Sequence, residues 1–129
     1  MNRRKLIKGL VGLTATVPIN LKVQAQAKKE GLLLQQSSLA GFQFYQGEAL
    51  WEQLEEGQSL ILKREPENRY DERAVAVYWQ HQKLGYVPRI DNAAISQLMD
   101  RGEPLSARID QLKQSRNPWK RIGLIVYLI

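Results

Sequence analysis

A tyrosine stands inside a polar turn, in the run Arg64-Glu65-Pro66-Glu67-Asn68-Arg69-Tyr70-Asp71. Pro66, Asn68 and Asp71 serve the backbone, because proline presets φ and Asx side chains bond their own main chain. A turn has no such use for Tyr70. An aromatic face between an arginine and an aspartate is placed to stack on, or hydrogen-bond, something outside the chain. Phe44, Tyr45 and Tyr86 complete an aromatic group of this kind, and a nucleobase stacked on such a face gains ~1–3 kcal/mol. The competing use is core. For Tyr86 that use is simply core, and Phe42-Gln43-Phe44 alternates and must bury one face, which leaves Phe44 open to either use. Tyr45 and Tyr70 are flanked by turn residues and point to contact. Asp71, an acceptor only when ionised, serves either a ligand donor or an Asx-turn before the next strand.

Other chemistries find little support. The single histidine, His81, and the absence of cysteine leave no zinc constellation, which needs several such ligands. His81 lies between two glutamines in a connection, with no serine or carboxylate at a spacing that suggests a triad, so no catalytic residue is assigned and no cofactor is called for. Lys113, Arg116, Lys120 and Arg121 surround Asn117-Pro118-Trp119. Cations around a tryptophan can hold a phosphate backbone and stack a base; the simpler reading is a solvated hairpin tip whose Trp119 folds back on the body.

The elements that must position these residues read as short strands. A first strand runs from Leu32 through Phe42, and Glu48 to Leu54 has the spacing of a short helix stopped by Gly57. Ser59 to Arg64 puts Leu60 and Leu62 on one face and Ile61 on the other. Ala74 to Trp79 alternates Val75, Val77 and Trp79 against Ala76 and Tyr78. Lys83 to Val87 is a fourth strand ended by Pro88, which cannot donate to a ladder. Asp91 reads as the cap of a helix over about 92–100 whose buried stripe is Ala94, Ile95, Leu98 and Met99. Leu105, Ala107 and Ile109, then Ile122, Leu124, Val126 and Leu128, mark the last two strands. The fold expected is mainly β, a six-stranded OB-like β-barrel with two short helices, closed or nearly so.

At 129 residues the chain has one core at most. The net charge of +6 is unevenly spread: residues 1–27 hold Arg3, Arg4, Lys5, Lys8 and Lys22 and no acid, leaving +1 for 28–129. A broadly basic domain is excluded, and a basic edge over 101–129 is not. Residues 1–27 read as an export signal: a basic start, a mildly apolar Gly9–Ile19, then Ala25-Gln26-Ala27 as a small-x-small cleavage site. Arg3-Arg4 resembles a twin-arginine signal, and the apolar run falls short of the about 20 residues of a membrane span. Export to the periplasm or cell envelope is expected if this leader is processed. A basic amphipathic helix or tail retained in the cytoplasm is the alternative.

Three motifs carry a resemblance: Gly41-Phe42-Gln43-Phe44-Tyr45-Gln46-Gly47, the 64–71 turn with Ala74-Val75-Ala76-Val77, and Leu84-Gly85-Tyr86-Val87-Pro88. In this order and spacing they resemble a HIRAN domain, the module found at the N-terminus of eukaryotic fork-remodelling ATPases and as free-standing bacterial proteins; the likeness covers roughly 32–129, within a domain assigned to 28–129. The resemblance implies a non-catalytic module for single-stranded DNA 3′ ends, with an ATPase or helicase as an implied partner. Its site residues fall on Gln43, Phe44, Tyr45, Asn68, Tyr70, Asp71, Tyr86 and Arg89. Asp71 would accept from the terminal hydroxyl, Tyr70 would stack or bond phosphate, and Arg89 would neutralise a phosphate. The chain departs from the DNA-binding members, which carry a basic residue at 43, a tyrosine at 44, a histidine at 86 and a lysine at 88. These departures keep open an exported or envelope-associated domain binding a non-nucleic-acid ligand.

Overall fold

The computed structural model describes residues 31–129; the leader assigned to residues 1–27 lies outside them. Six strands form one antiparallel sheet in the order β1-β6-β5-β2-β3-β4. They are β1 (Leu32–Ser38), β2 (Ser59–Glu65), β3 (Ala74–Trp79), β4 (Gln82–Tyr86), β5 (Leu105–Leu112) and β6 (Ile122–Leu128). Two short helices are inserted, α1 (Gly47–Leu50) and α2 (Ala93–Asp100). No described helix is long and apolar enough to cross a membrane.

The sheet expected as a closed or nearly closed barrel is not closed. No ladder joins the edge strands β1 and β4; the chain just beyond β1 makes a single antiparallel bridge, Ala40 to Tyr86. Both of its hydrogen bonds are short, 2.8 Å from the Ala40 N–H to the Tyr86 carbonyl and 2.9 Å in return. Near the middle, β2 pairs with β5 only through Ser59 and Leu60 before turning to β3 for the rest of its length.

The strand pattern places the core as periodicity requires. Leu60 of β2, Val75, Val77 and Trp79 of β3, Ala107 and Ile109 of β5, and Ile122, Leu124 and Val126 of β6 form one buried cluster with Leu39, Phe42, Leu84 and Ile95. Burying one such side chain is worth about 1.5–3 kcal/mol.

Several boundaries differ from the sequence reading, each for a local reason. The first strand stops at Ser38. Gly41, with φ 77°, turns the chain into a 3₁₀ turn at Phe42–Phe44, which buries Phe42 and leaves Phe44 74% exposed. The segment read as one helix over 48–54 divides into α1 and a 3₁₀ turn at Trp51–Gln53. Asp91 does not cap α2. The N-cap is Asn92, whose backbone carbonyl accepts from the Ser96 N–H and whose side chain bonds elsewhere. Ala94 faces solvent, and Ser96 takes its expected place inside, its hydroxyl donating to the Ala93 carbonyl at 3.0 Å.

Val77 is fully buried between β2 and β4 and reaches no solvent. Val77→Ala is expected to cost on the order of 1–3 kcal/mol, through lost burial and an incompletely collapsed cavity. Urea unfolding at an unchanged m-value checks it; an unshifted midpoint contradicts this core.

Candidate nucleic-acid interface

A β-bulge builds the floor of the site. Tyr78 pairs with Lys83 and Ala76 with Tyr86, so Leu84 is an extra residue between them on β4. In a regular strand, side chains three apart point to opposite faces. Here the bulge puts Lys83 and Tyr86 on the same outer face, alongside Glu65, which stands opposite Ala74 on the neighbouring ladder. Gly85 is required where the Ala40 backbone crosses: a methyl group there would overlap the Ala40 carbonyl.

These outer side chains are fully interlocked. The Tyr86 hydroxyl donates to Glu65 Oε1 at 2.8 Å, and Lys83 Nζ donates to the Tyr86 oxygen at 2.9 Å and to Glu65 Oε2 at 3.1 Å. Asn68 Nδ2 donates to Glu65 Oε1 at 3.1 Å. The Lys83 ammonium lies 4.7 Å from the Tyr86 ring centre and 5.1 Å from that of Tyr45, within cation–π range. Tyr45 in turn meets Tyr86 edge to face at 5.9 Å. Tyr45 reaches this position because the Gly41 turn redirects the chain and the Gln46 N–H bonds the Lys83 carbonyl at 3.0 Å.

Burial pushes the Tyr86 phenol up to about 12, against a smaller opposing effect of its bond from Lys83 and with help from the adjacent Glu65 carboxylate. Burial alone would lower Lys83, but its bonds to Tyr86 and Glu65 overcome this and raise it. Burial alone would raise Glu65; the bonds from Tyr86, Asn68 and Lys83 bring it below its ordinary value. One negative and one positive charge therefore cancel beneath the site.

The 64–71 turn is self-bonded as its Asx residues suggest. Asn68 Oδ1 accepts from the N–H groups of Tyr70 at 2.8 Å and Asp71 at 3.1 Å. Asp71 Oδ1 closes an Asx-turn on the Arg73 N–H at 3.0 Å, and Oδ2 accepts from Asn92 Nδ2 at 2.7 Å. Each carboxylate oxygen keeps a second acceptor site. Tyr70 projects free of this scaffold and is 78% exposed.

A cleft of about 340 Å³ opens above, lined by Ala40, Tyr45, Asn68, Tyr70, Asp71, Ala74, Tyr86, Val87, Arg89 and Trp119. It gathers six of the eight residues singled out from sequence: Tyr45, Asn68, Tyr70, Asp71, Tyr86 and Arg89. Gln43 and Phe44 do not line it; both are exposed on the 3₁₀ turn. Trp119 does not simply fold back on the body. It is 49% exposed and forms a wall of the cleft. Three supporting residues escaped the sequence reading. Lys83 and Glu65 meet only because of the bulge, and Asn92 reaches Asp71 across 21 residues of sequence; no local spacing announces either pairing.

Aromatic walls, an oriented carboxylate and an exposed arginine on a small open sheet define a binding module. The chain belongs to the HIRAN domain family, whose match covers residues 32–128. HIRAN domains are in general nucleic-acid-binding modules and are not themselves catalytic. Among solved structures, a protein from Lactobacillus plantarum is 30% identical, with a TM-score of 0.66 over 74% of this chain and 91% of that one. The HIRAN domain of human HLTF shares the fold at 16% identity, with a TM-score of 0.59 over 78% of this chain and 81% of that one. A comparison with curated proteins finds no match.

The raised phenol gives a pH test. Because the folded pKa of Tyr86 exceeds the ordinary 10.0, its contribution to stability is complete below pH 10 and lost as pH rises through about 12. Phenolate absorbance at 295 nm should retain a component titrating near pH 12, and Tyr86→Phe should remove it. The same late component in the variant would show that Tyr86 is not its source.

Proposed function

We propose that this HIRAN domain binds the 3′ end of single-stranded DNA, as a non-catalytic module. The observation that carries this reading is the convergence of Tyr45, Tyr70, Asp71 and Arg89, from three separate segments, on one cleft. A terminal nucleotide offers a base face, a hydroxyl and a phosphate together. These call for an aromatic, an acceptor and a cation. Tyr70 supplies the stacking face, with Trp119 and Tyr45 as walls. Asp71 accepts from the terminal 3′-hydroxyl through its remaining lone pairs, held in place by Arg73 and Asn92. Arg89 is exposed, has no ion-pair partner among the described residues, and takes a phosphate.

Of the departures at 43, 44, 86 and 88, only Tyr86 lines the cleft, and it changes how the cleft works rather than empties it. Tyr86 uses its hydrogen on Glu65, so it shapes the cleft and donates nothing to a ligand. With Lys83 neutralised by Glu65, Arg89 is the one cation lining the cleft among the described residues. Ends are therefore recognised by stacking and by the hydroxyl, with few phosphates neutralised.

Fluorescence titration with short oligonucleotides ending in 3′-hydroxyl or 3′-phosphate tests the reading. The hydroxyl end is expected to bind more tightly, and Tyr70→Ala should weaken it by about 1–3 kcal/mol. Asp71→Ala should erase the preference between ends. For a dinucleotide the log–log salt slope should be no steeper than about −0.7, one phosphate's worth. Equal affinity for the two ends, or no binding at low salt, contradicts the proposal.

A further inference from the structure

The cleft holds about one nucleotide's worth of recognition chemistry and, among the described residues, a single cation, so a longer strand must leave it past one of its walls. The wall that Trp119 forms belongs to the tip between β5 and β6, and this tip is a built arm. The Lys113 N–H bonds the Arg121 carbonyl at 2.9 Å, closing its base. Asn117 Oδ1 caps the 3₁₀ turn at Pro118–Lys120 by accepting from the Trp119 N–H at 3.0 Å, and the Asn117 N–H bonds Ser115 Oγ at 3.1 Å. Arg121 anchors the arm. Its guanidinium pairs with Glu48 Oε1 at 2.6 Å and lies 4.3 Å from the Trp51 ring centre and 4.7 Å from that of Phe42.

Arg121 is thus consumed as an anchor, whereas Lys113, Arg116 and Lys120 are exposed and pair with no carboxylate among the described residues. Three uncompensated cations thus stand on the tip that carries a cleft-lining tryptophan.

We propose that the β5–β6 tip is a second nucleic-acid contact, in which Lys113, Arg116 and Lys120 neutralise the backbone phosphates of the strand leaving the cleft past Trp119. This rests on the cleft being a single-strand end site, and it assigns the direction in which the strand departs. Phosphate contacts of this kind position the chain without reading its sequence.

The test is fluorescence anisotropy with 5′-labelled thymidine dinucleotide and octanucleotide, both ending in 3′-hydroxyl, over a series of salt concentrations. Three added phosphate contacts should make the octanucleotide's log–log slope steeper than the dinucleotide's by about 2. In the triple variant Lys113→Gln, Arg116→Gln, Lys120→Gln that difference should vanish, while dinucleotide affinity stays within about twofold, as expected if rim charges leave the stacking site intact. An unchanged octanucleotide slope in the triple variant overturns the tip proposal. If Tyr70→Ala still weakens the octanucleotide in that case, the cleft reading stands alone. A slope that collapses in the triple variant, with affinity indifferent to Tyr70→Ala and Asp71→Ala, overturns the cleft reading and with it the path past Trp119, and shows the tip binding strands on its own. No binding of either oligonucleotide at low salt overturns both.

Discussion

The bridge between Ala40 and Tyr86 is the contact on which the rest of the structure depends. It joins the two edges of a sheet that is otherwise open, and it does so beside Gly85, where only the missing side chain lets the Ala40 carbonyl approach. The same crossing fixes the Gly41 turn over β4, and so brings Tyr45 against Tyr86. One backbone pair therefore converts an edge-to-edge gap into a cleft. A regular ladder at this point would close the sheet and remove the opening in which a ligand could sit.

The bulge at Leu84 is the complementary device. It turns Lys83 outward beside Tyr86, where both donate to Glu65, which also accepts from Asn68. Partly buried charges are costly unless paired and hydrogen-bonded, and here pairing leaves no surplus charge under the aromatic rings. The result is a rigid, electrically balanced floor. Above it the exposed groups, Tyr70, Arg89 and Trp119, remain available, and Asp71 is oriented by a buried asparagine rather than by the turn alone. The floor residues thus spend their hydrogen bonds on each other, whereas the side chains of Tyr70 and Arg89 spend none among the described residues and Asp71 keeps a second acceptor site on each oxygen.

Much of this was legible in the sequence. Alternation in Ala74–Trp79 and Ile122–Leu128 placed both strands, because one face of each must be buried. The turn around Tyr70 was visible for a chemical reason, as an aromatic with no backbone task. What stayed hidden depends on partners distant in sequence. The alternation Phe42-Gln43-Phe44 looks like a strand, yet the preceding Gly41 at positive φ bends it into a 3₁₀ turn. Closure into a barrel was inferred from the number of strands, whereas it is decided by whether β1 and β4 pair beyond one bridge. Trp119 was read as a covering residue because its neighbours are those of a solvated tip. Only the packing of that tip beside the Phe42–Phe44 turn shows that it borders the cleft.

The central claim is that one cleft, and no other surface, receives the end of a single strand. Amide chemical-shift mapping during titration with a 3′-hydroxyl oligonucleotide addresses it most directly. Shifts concentrated at Gly41–Tyr45, Asn68–Asp71, Tyr86–Arg89 and Trp119 are expected. Shifts gathered instead in the groove between β2 and β5, around Leu62, Met99 and Leu105, would contradict it.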